Sequence, residues 1–374
     1  MWSKIRYYLQ EYDWLLVVSV IFLVSIGLAA IYSVDLSRGD QLNFIYTQLA
    51  AAGLGAVAMI VGGSMHIAVY KKYSRLFYFF SILLLVGVLF FGVTVSGTKG
   101  WYRFMGLSFQ PVEVGKIGLI LIMSLLTTEV GRRFYELKFF ASSIFLTALI
   151  VGPVLLQPDL GSAMILIGIW VSYLLFTGVK KKYLLGLFVS FVAVALLGWS
   201  FVLADYQKER FVTFLNPQKD PLGAAYNLRQ SIIAIGSGGW FGRGLGFGSQ
   251  SQLKFLPEAH TDFVFSVIAE ELGFIGSLLV ILPFFVLVWR LIKIAAESKD
   301  EFGSYLVFGI AAFFLIQFFL NIGSAIGLAP IVGVTLPFVS YGGSSLVINL
   351  FLIGVVESVV RYTSKERSDE ATLS

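Results

Sequence analysis

Charged side chains stand at the mouth of an apolar segment in the second half of the sequence. In the stretch FLPEAHTDFVFSVIAEELG, the residues Glu258, His260 and Asp262 precede a run that predicts a membrane helix. Charged groups at such a place are costly and mark a functional site by default. A carboxylate there can act as a general base towards a hydroxyl group or can ligate a divalent cation. Capping of the helix is the structural alternative for Asp262, but it does not account for Glu270 further along the same face.

A second charged pair lies in the stretch FQPVEVGK. Glu113 and Lys116 are three residues apart, so they share one face of a helix, and Pro111 suits the first turn of that helix. A self-neutralising ion pair is the structural alternative. Because an apolar helix has no need of such a pair unless it faces a polar cavity, we expect a cavity beside it.

Three further polar positions accompany these two clusters. The turn QPDLGSA holds Asp159, which can cap the next helix, line a site, or do both. Ser344 lies in LPFVSYGGSS, a polar break that is tolerated at membrane depth only where protein or a water-filled cavity covers it. Close packing of helices on small residues is the alternative there. The stretch WYRF, residues 101–104, predicts a short amphipathic helix at the membrane interface and places Arg103 on it.

The composition predicts a polytopic membrane protein with a single domain, residues 1–374. Hydrophobic residues make up 57% of the chain and charged residues 13%, with a mean hydropathy of +0.85. A soluble domain carries about twice that share of charge. The absence of cysteine excludes disulfides, thiolate chemistry and Cys-based metal sites. The formal net charge of +5 is a signal of topology and does not indicate a nucleic-acid partner.

Ten apolar segments predict an all-α fold of about ten transmembrane helices, because most of them are near the ~20 residues that cross the hydrocarbon layer. They cover residues 14–32, 45–64, 77–96, 113–128, 139–156, 160–177, 183–204, 263–292, 304–327 and 344–360. The first segment is too long for a signal peptide and further spans follow it, so we expect it to remain as an anchor. Lys and Arg recur in every second connection, and the positive-inside rule therefore predicts that both termini are cytoplasmic.

A long outer connection, residues 205–262, separates the seventh and eighth predicted spans. Its basic residues include Lys208, Arg210 and Arg243. The run SIIAI is flanked by amphipathic sequence, so we expect part of the connection to lie on the membrane or dip into it. The glycine-rich stretch GSGGWFGRGLGFG fits two interpretations, a phosphate-cradling loop and a simple turn-rich loop.

Under this topology all the polar clusters fall on the outer half of the membrane. That shared side predicts one outward-facing polar cavity, which holds Glu113, Lys116, Asp159 and Asp262 and is rimmed by bases of the long connection. Such a cavity suits an amphiphile whose lipid tail lies between helices while basic side chains hold its phosphates. A divalent ion (Mg²⁺ or Mn²⁺) held by Asp262, or the bases alone, would neutralise a diphosphate leaving group. The sequence has no nucleotide-binding motif, so the substrate arrives already activated or is moved without chemistry.

Five stretches resemble the SEDS family of bacterial cell-wall proteins, in the family's order and spacing. They are FQPVEVGK (109–116), QPDLGSA (157–163), the region 216–246, FLPEAHTDFVFSVIAEELG (255–273) and LPFVSYGGSS (336–345). The resemblance implies a ten-span peptidoglycan glycosyltransferase of the bacterial plasma membrane that polymerises lipid II in the outer leaflet. It also implies a class B penicillin-binding protein, a transpeptidase, as partner. The stretch GSQSQLKFLPEAHTDF is more similar to the family's elongation members, RodA, than to its division members, FtsW, which implies a role in cell elongation and rod shape.

The resemblance also implies roles for individual residues. Asp262 matches the family's essential aspartate, Glu113 and Lys116 match its conserved Glu and Lys, and Asp159 matches its PDLG aspartate. An inverting transfer needs a base beside the acceptor hydroxyl. Asp262 is the candidate for that base or for the metal ligand, and Glu113 and Lys116 complete the catalytic set. The candidate substrate-binding residues are Arg103, Asp159, Lys208, Arg210, Arg243, His260 and Ser344.

Two other functions fit parts of the sequence. A flippase for the same lipid-linked precursor would share the cavity, but it would also need polar residues on the cytoplasmic half, where Glu357 is nearly alone. A scaffold that only recruits the crosslinking partner would leave the charged residues of the spans without a purpose. We therefore expect the glycosyltransferase.

Overall fold

The computed structural model describes residues 12–37, 42–95, 97–104, 107–131, 133–201, 208 and 224–373. Most of this described chain is helical, as predicted for an all-α membrane protein. The helices are α1 (Trp14–Leu36), α2 (Asn43–Ser64), α3 (Ile67–Phe91), α4 (Pro111–Val130), α5 (Leu137–Leu156), α6 (Leu160–Thr177), α7 (Lys181–Phe201), α8 (Ala224–Ser237), α9 (Ser249–Gln252), α10 (Val264–Glu297), α11 (Glu301–Ala325) and α12 (Gly343–Leu373).

Nine helices in the described part of the chain are long and apolar enough to cross a membrane, so the protein is a multi-pass membrane protein. They are α1 to α6 and α10 to α12. The predicted seventh span, 183–204, falls on α7, and its continuation beyond Phe201 lies outside the described residues. The third helix begins at Ile67, ten residues before the predicted span 77–96. Its first turns include the exposed Lys71 and Lys72, which the apolar pattern left out.

Local chemistry fixes where several helices begin. The carboxylate of Asp13 accepts a hydrogen bond from the amide of Leu16 at 3.2 Å and caps α1. Pro111 is the first residue of α4, as predicted, because its missing N–H is not needed at that position. The start at Pro111 places Glu113 in the first turn of α4.

A small antiparallel sheet between α3 and α4 replaces the amphipathic helix that was predicted for residues 101–104. Its strands are β1 (Val93–Val95), β2 (Thr98–Phe104) and β3 (Leu107–Phe109), in the order β1-β2-β3. The prediction was wrong because aromatic residues such as Trp101 and Tyr102 are as typical of strands as of interfacial helices. The hydroxyl of Tyr102 donates to the carbonyl of Leu84 at 3.1 Å and fastens the sheet to α3.

Helix α4 is the most deeply buried of the candidate spans. It packs against α3, α5, α6 and α11, while α2 packs along α12 and α1 along α10. Large apolar side chains such as Phe90 and Phe91 are exposed on the outer helices, as expected of a surface that faces lipid. The charged side chains near the start of α4, Glu113 and Lys116, are therefore enclosed by protein, whereas Glu129 near its end is exposed.

A charged cluster joins the ends of three spans at the end of the bundle where α1 begins. The amide of Asp13 donates to Oε2 of Glu357 at 3.0 Å, and the Asp13 carboxylate forms an ion pair with Arg290. The expectation that Glu357 is nearly alone on this half was wrong, because its neighbours come from distant parts of the chain. These groups bind one another and hold α1, α10 and α12 together.

Candidate active site

The charged pair of α4 lies inside the bundle. The ammonium group of Lys116 donates to Oε1 of Glu113 at 2.8 Å, and Glu113 and Lys116 expose only 3% and 2% of their surface. The same ammonium group lies 5.3 Å from the centre of the Phe313 ring, which adds a cation–π contact. No group in the described part of the chain donates to Oε2 of Glu113. A buried pair that is only partly satisfied is costly as a structural device and is typical of a functional site.

A polar stripe on α11 continues from this pair. The stripe consists of residues four positions apart, which share one face of the helix. It begins at Phe313, the ring beside Lys116, and continues with the amides Gln317 and Asn321. Nε2 of Gln317 donates to the carbonyl oxygen and the hydroxyl oxygen of Thr335 at 2.9 and 3.0 Å. The stripe extends about 12 Å along the helix axis. It links the surroundings of Lys116 to the connection between α11 and α12, residues 326–342.

Asn321 is the last residue of the stripe, and it binds the backbone of Asp262. Its Nδ2 donates to the backbone carbonyl of Asp262 at 3.0 Å and to that of Val334 at 2.7 Å. The half-buried carboxylate of Asp262 lies beside Gly333, where an added β-carbon would be 3.7 Å from Oδ2. The N-cap of α10 is Phe263, which makes no side-chain capping bond, so the interpretation of Asp262 as the helix cap was wrong.

Three consecutive carbonyl groups hold the turn before α10 against the connection between α11 and α12. The carbonyl of His260 accepts from the amide of Tyr341 at 2.8 Å, and that of Thr261 accepts from the hydroxyl of Ser340 at 2.6 Å. The carbonyl of Asp262 completes the series through its bond from α11. The backbone that carries Asp262 is thus fixed, as a preorganised catalytic group requires.

Asp159 caps α6, as one of its two interpretations predicted. Its Oδ1 accepts from the amide of Ser162 at 2.9 Å, and its Oδ2 accepts from the hydroxyl of the same residue at 2.7 Å. Oδ2 also accepts from Nε2 of Gln110 at 3.4 Å. Gln110 directly precedes α4, so the structure places Asp159 beside the turn that carries Glu113.

The glycine-rich stretch wraps around a break in α10. The break is at Gly273, whose φ of 69° and ψ of −159° are not helical. Two carbonyls just before it, those of Glu270 and Glu271, accept from the amides of Arg243 and Gly244 at 3.0 and 2.8 Å. Because these loop amides bind the protein itself, the structure favours the turn-rich loop over the phosphate cradle.

The Glu270 carboxylate anchors the same loop. It is fully buried and accepts from the amides of Gln250 and Ser251 at 2.8 and 3.1 Å, in the short helix α9. Glu271 accepts from the hydroxyl of Ser33 on α1 at 2.6 Å. Glu270, which capping of α10 could not explain, and its neighbour Glu271 therefore stabilise the position of the loop.

Of the four predicted basic residues two are exposed, one is half-buried and one lies outside the described residues. Arg243 is exposed and donates to the hydroxyl of Ser249 at 2.8 Å, and Arg103 is exposed on β2. Lys208 is half-buried, and Arg210 lies outside the described residues. Their part in substrate binding stays a prediction.

The last two predicted substrate-binding residues, His260 and Ser344, lie in different settings. The imidazole of His260 is buried and stacks on Phe44, with 4.2 Å between ring centres, and lies 5.4 Å from the ring of Tyr341. Burial raises the pKa of the Tyr341 phenol. Ser344 is half-buried in the first turn of α12. The roles of His260 and Ser344 towards a substrate also stay predictions.

The acidic residues of the site do not form a multidentate metal site. Among the described residues, no three His, Asp or Glu side chains cluster closely enough to hold a metal ion. Glu113 is committed to Lys116, and Asp159 to the cap of α6. Mg²⁺ is usually bound through one or two carboxylates together with substrate phosphates. Asp262 is compatible with an ion of that kind.

Together the contacts place the catalytic candidates at one end of the bundle. Asp159 meets the start of α4, and Asp262 meets the α11 stripe that leads to Lys116. A carboxylate on a fixed backbone can take a proton from a hydroxyl, and a buried cation can stabilise negative charge.

Sequence reasoning missed Gln317, Asn321 and Ser340. The two amides stand four residues apart in the predicted ninth span, 304–327, and amide side chains in an apolar span are a signal of contacts between helices. Ser340 lies in LPFVSYGGSS, where the glycines and the following serines were singled out instead.

Comparison with known proteins places this arrangement in a family. The family model of the FtsW/RodA/SpoVE cell cycle proteins matches residues 13–365. The chain is 38% identical over 359 residues to the probable peptidoglycan glycosyltransferase FtsW of Trichlorobacter lovleyi, and the match covers 94% of this chain and 93% of that protein. It is 37% identical over 327 residues to the peptidoglycan glycosyltransferase MrdB of Escherichia coli K12, with 86% and 87% covered.

The fold is also similar to a solved structure. A chain of a peptidoglycan synthase complex, studied for the coordination of polymerization and crosslinking, matches with a TM-score of 0.79 and 31% identity. The match covers 94% of this chain and 98% of that one. Relatives of both the FtsW type and the RodA-like type match, so similarity alone assigns the chain to neither type.

Proposed function

The chain belongs to the FtsW/RodA/SpoVE family of cell cycle proteins, the SEDS family, and on this premise we propose that it is a peptidoglycan glycosyltransferase that polymerises lipid II into glycan strands. The observation that supports the proposal most is the fixed backbone of Asp262. Three consecutive carbonyls, ending at Asp262, are bound from the neighbouring segments, while Asp262 as a whole is only half-buried.

The proposed reaction joins two lipid-linked sugars. The acceptor's 4-hydroxyl oxygen attacks the donor's anomeric carbon on the face opposite the diphosphate. The bond to the diphosphate breaks with its electron pair, and the configuration inverts. Asp262 takes the hydroxyl proton as general base.

Glu113 and Lys116 provide the buried charge of the proposed site. Lys116 is the basic residue of α4. In the proposed reaction it stabilises the negative charge that develops on the departing diphosphate. Glu113 holds its ammonium group in place at 2.8 Å. The exposed bases Arg103 and Arg243, with Lys208 and Arg210, are proposed to contact the diphosphate, while Asp159, His260 and Ser344 line the substrate groove.

A divalent ion is part of the proposal. Mg²⁺ or Mn²⁺, when bound, neutralises a departing diphosphate. Asp262 is the residue that would hold it, with the substrate phosphates as further ligands. In that case Asp262 acts through the ion instead of as a direct base.

The setting of the reaction follows from the predicted topology. Basic connections predict that both termini are cytoplasmic, and we propose on that basis that the site opens to the outer leaflet of the bacterial plasma membrane, where membrane lipids surround it. We propose a class B penicillin-binding protein as partner and an elongation role. The similarity of residues 248–263 to elongation members supports that role.

Purified protein tests the proposal directly. Fluorescent lipid II in detergent, with and without the transpeptidase partner, is expected to yield glycan ladders on gels, and Asp262→Ala is expected to yield none. Movement of labelled lipid II across vesicle membranes without any polymer would support the flippase alternative and overturn the proposal.

A further inference from the structure

We propose that Asn321 is a positioning residue for Asp262, which it holds against the connection between α11 and α12. The inference rests on the proposed function, in which Asp262 is the catalytic carboxylate. It adds a residue from a separate helix, 59 positions further along the chain.

The hydrogen bonds of Asn321 define its orientation. Its amide nitrogen has two protons, and one bond goes to the carbonyl of Asp262 at 3.0 Å and the other to that of Val334 at 2.7 Å. Both acceptors are backbone carbonyls, so only the nitrogen, and not the amide oxygen, can face them. The side chain is 1% exposed, so water does not compete for these bonds.

One side chain thereby sets the distance between two segments that meet at the carboxylate. Val334 directly follows Gly333, the residue beside Oδ2 of Asp262. Gly333 has a φ of +70°, a conformation that a side chain would strain. Asn321 therefore binds both the backbone that carries Asp262 and the backbone next to Gly333, beside which its carboxylate lies.

Gln317 provides an internal comparison on the same helix face. It is an amide with no exposed surface, and its nitrogen also makes two hydrogen bonds, both to Thr335. Unlike Asn321, Gln317 directs neither of these hydrogen bonds to Asp262. A purely structural role of the stripe predicts equal effects from the loss of either amide, whereas positioning predicts an effect on catalysis from Asn321 alone.

The test compares Asn321→Leu with Gln317→Met in the full chain. Each change keeps the approximate volume and removes the amide. Steady-state polymerisation of lipid II and thermal unfolding in detergent are measured for both variants. We expect similar losses of Tm, a kcat for Asn321→Leu lower on the order of 100-fold with KM near the wild-type value, and a kcat for Gln317→Met near the wild-type value.

A second variant covers the case in which Asn321→Leu does not fold. Asn321→Asp has the same size and at most one donor, and it is expected to lower kcat with little change in KM. A kcat for Asn321→Leu equal to that of Gln317→Met, or a wild-type kcat for Asn321→Asp, would overturn the inference. Failure of the wild-type protein itself to make polymer would instead overturn the proposed function.

Discussion

The ammonium group of Lys116 and the carboxylate of Glu113 meet at 2.8 Å within the most buried helix of the bundle. Loss of one partner leaves the other charge buried and uncompensated. We therefore expect Lys116→Met to lower the free energy of unfolding by about 3 kcal/mol and to abolish polymerisation. The double variant Glu113→Gln, Lys116→Met is expected to recover stability but not polymer. Chemical unfolding in detergent and the lipid II assay measure the two effects.

The exposed pair of Arg75 and Glu129, at 2.6 Å, is the control for this comparison. Removal of an exposed pair changes stability by less than about 1 kcal/mol, so Arg75→Met is expected to unfold like the wild-type protein. Recovery of polymer together with stability in the double variant would show that Glu113 and Lys116 are only structural.

Asp262→Asn separates chemistry from folding. Phe263 is the N-cap of α10 and has no side-chain capping bond, so loss of the Asp262 charge is not expected to destabilise the helix. We expect Tm close to the wild-type value and no detectable glycan ladder. Glu258→Gln, a change at an exposed carboxylate in the same turn, is expected to stay active. Polymer formation by Asp262→Asn at the wild-type rate would exclude Asp262 as base and as metal ligand.

The spans and the main charged residues could be predicted from sequence because their signals are local. Apolar runs of membrane length mark the helices, and a charge inside such a run marks a candidate site. The start of α4 at Pro111 and the capping role of Asp159 also depend on neighbours a few residues away.

The contacts that organise the site could not be predicted, because they join distant parts of the chain. Asn321 reaches Asp262 across 59 positions, and Glu270 reaches the amide of Gln250 across 20. The sequence does not show whether a carboxylate inside an apolar helix binds a substrate or another segment of the folded chain. The Glu270 carboxylate binds a loop of the chain itself. The sheet at β2 was missed for a related reason, since pairing of strands depends on partners outside the local pattern.

Asp159 is expected to behave mainly as a helix cap. Its two carboxylate oxygens accept both hydrogen bonds from Ser162, so Asp159→Ala should lower the free energy of unfolding by about 1 kcal/mol. Asn caps about as well as Asp, so Asp159→Asn should unfold like the wild-type protein. Chemical unfolding of both variants measures this. Loss of polymer by Asp159→Asn at full stability would assign the charge itself to the substrate site.

Glu270→Ala should release the glycine-rich loop. The carboxylate accepts from the amides of Gln250 and Ser251, and hydrogen bonds to a charged group are each worth about 2 kcal/mol. Loss of one such bond should make these two amides exchange with solvent roughly 30-fold faster. Hydrogen–deuterium exchange by mass spectrometry measures the change, and Glu258→Ala is the control. Unchanged exchange would mean that the loop is held by its backbone bonds to α10 alone.

A requirement for a divalent ion is the remaining prediction. Asp262 is a half-buried residue with a carboxylate, and hard oxygen ligands of this kind suit Mg²⁺ or Mn²⁺. In the proposed site the ion is shared with the substrate diphosphate, because Mg²⁺ is usually bound through one or two carboxylates together with substrate phosphates. We therefore expect an excess of EDTA to abolish polymerisation, and added Mg²⁺ or Mn²⁺ to restore it, without any change in Tm of the substrate-free protein.

The Tm measurement distinguishes this shared ion from a structural one. A metal held by the protein alone stabilises the folded state, so its removal would lower Tm even without lipid II. A shared ion leaves that Tm unchanged and acts only when the diphosphate is present. Full activity in excess EDTA would exclude the ion and would leave Lys116 and the surface bases Arg103 and Arg243 as the groups that neutralise the leaving diphosphate.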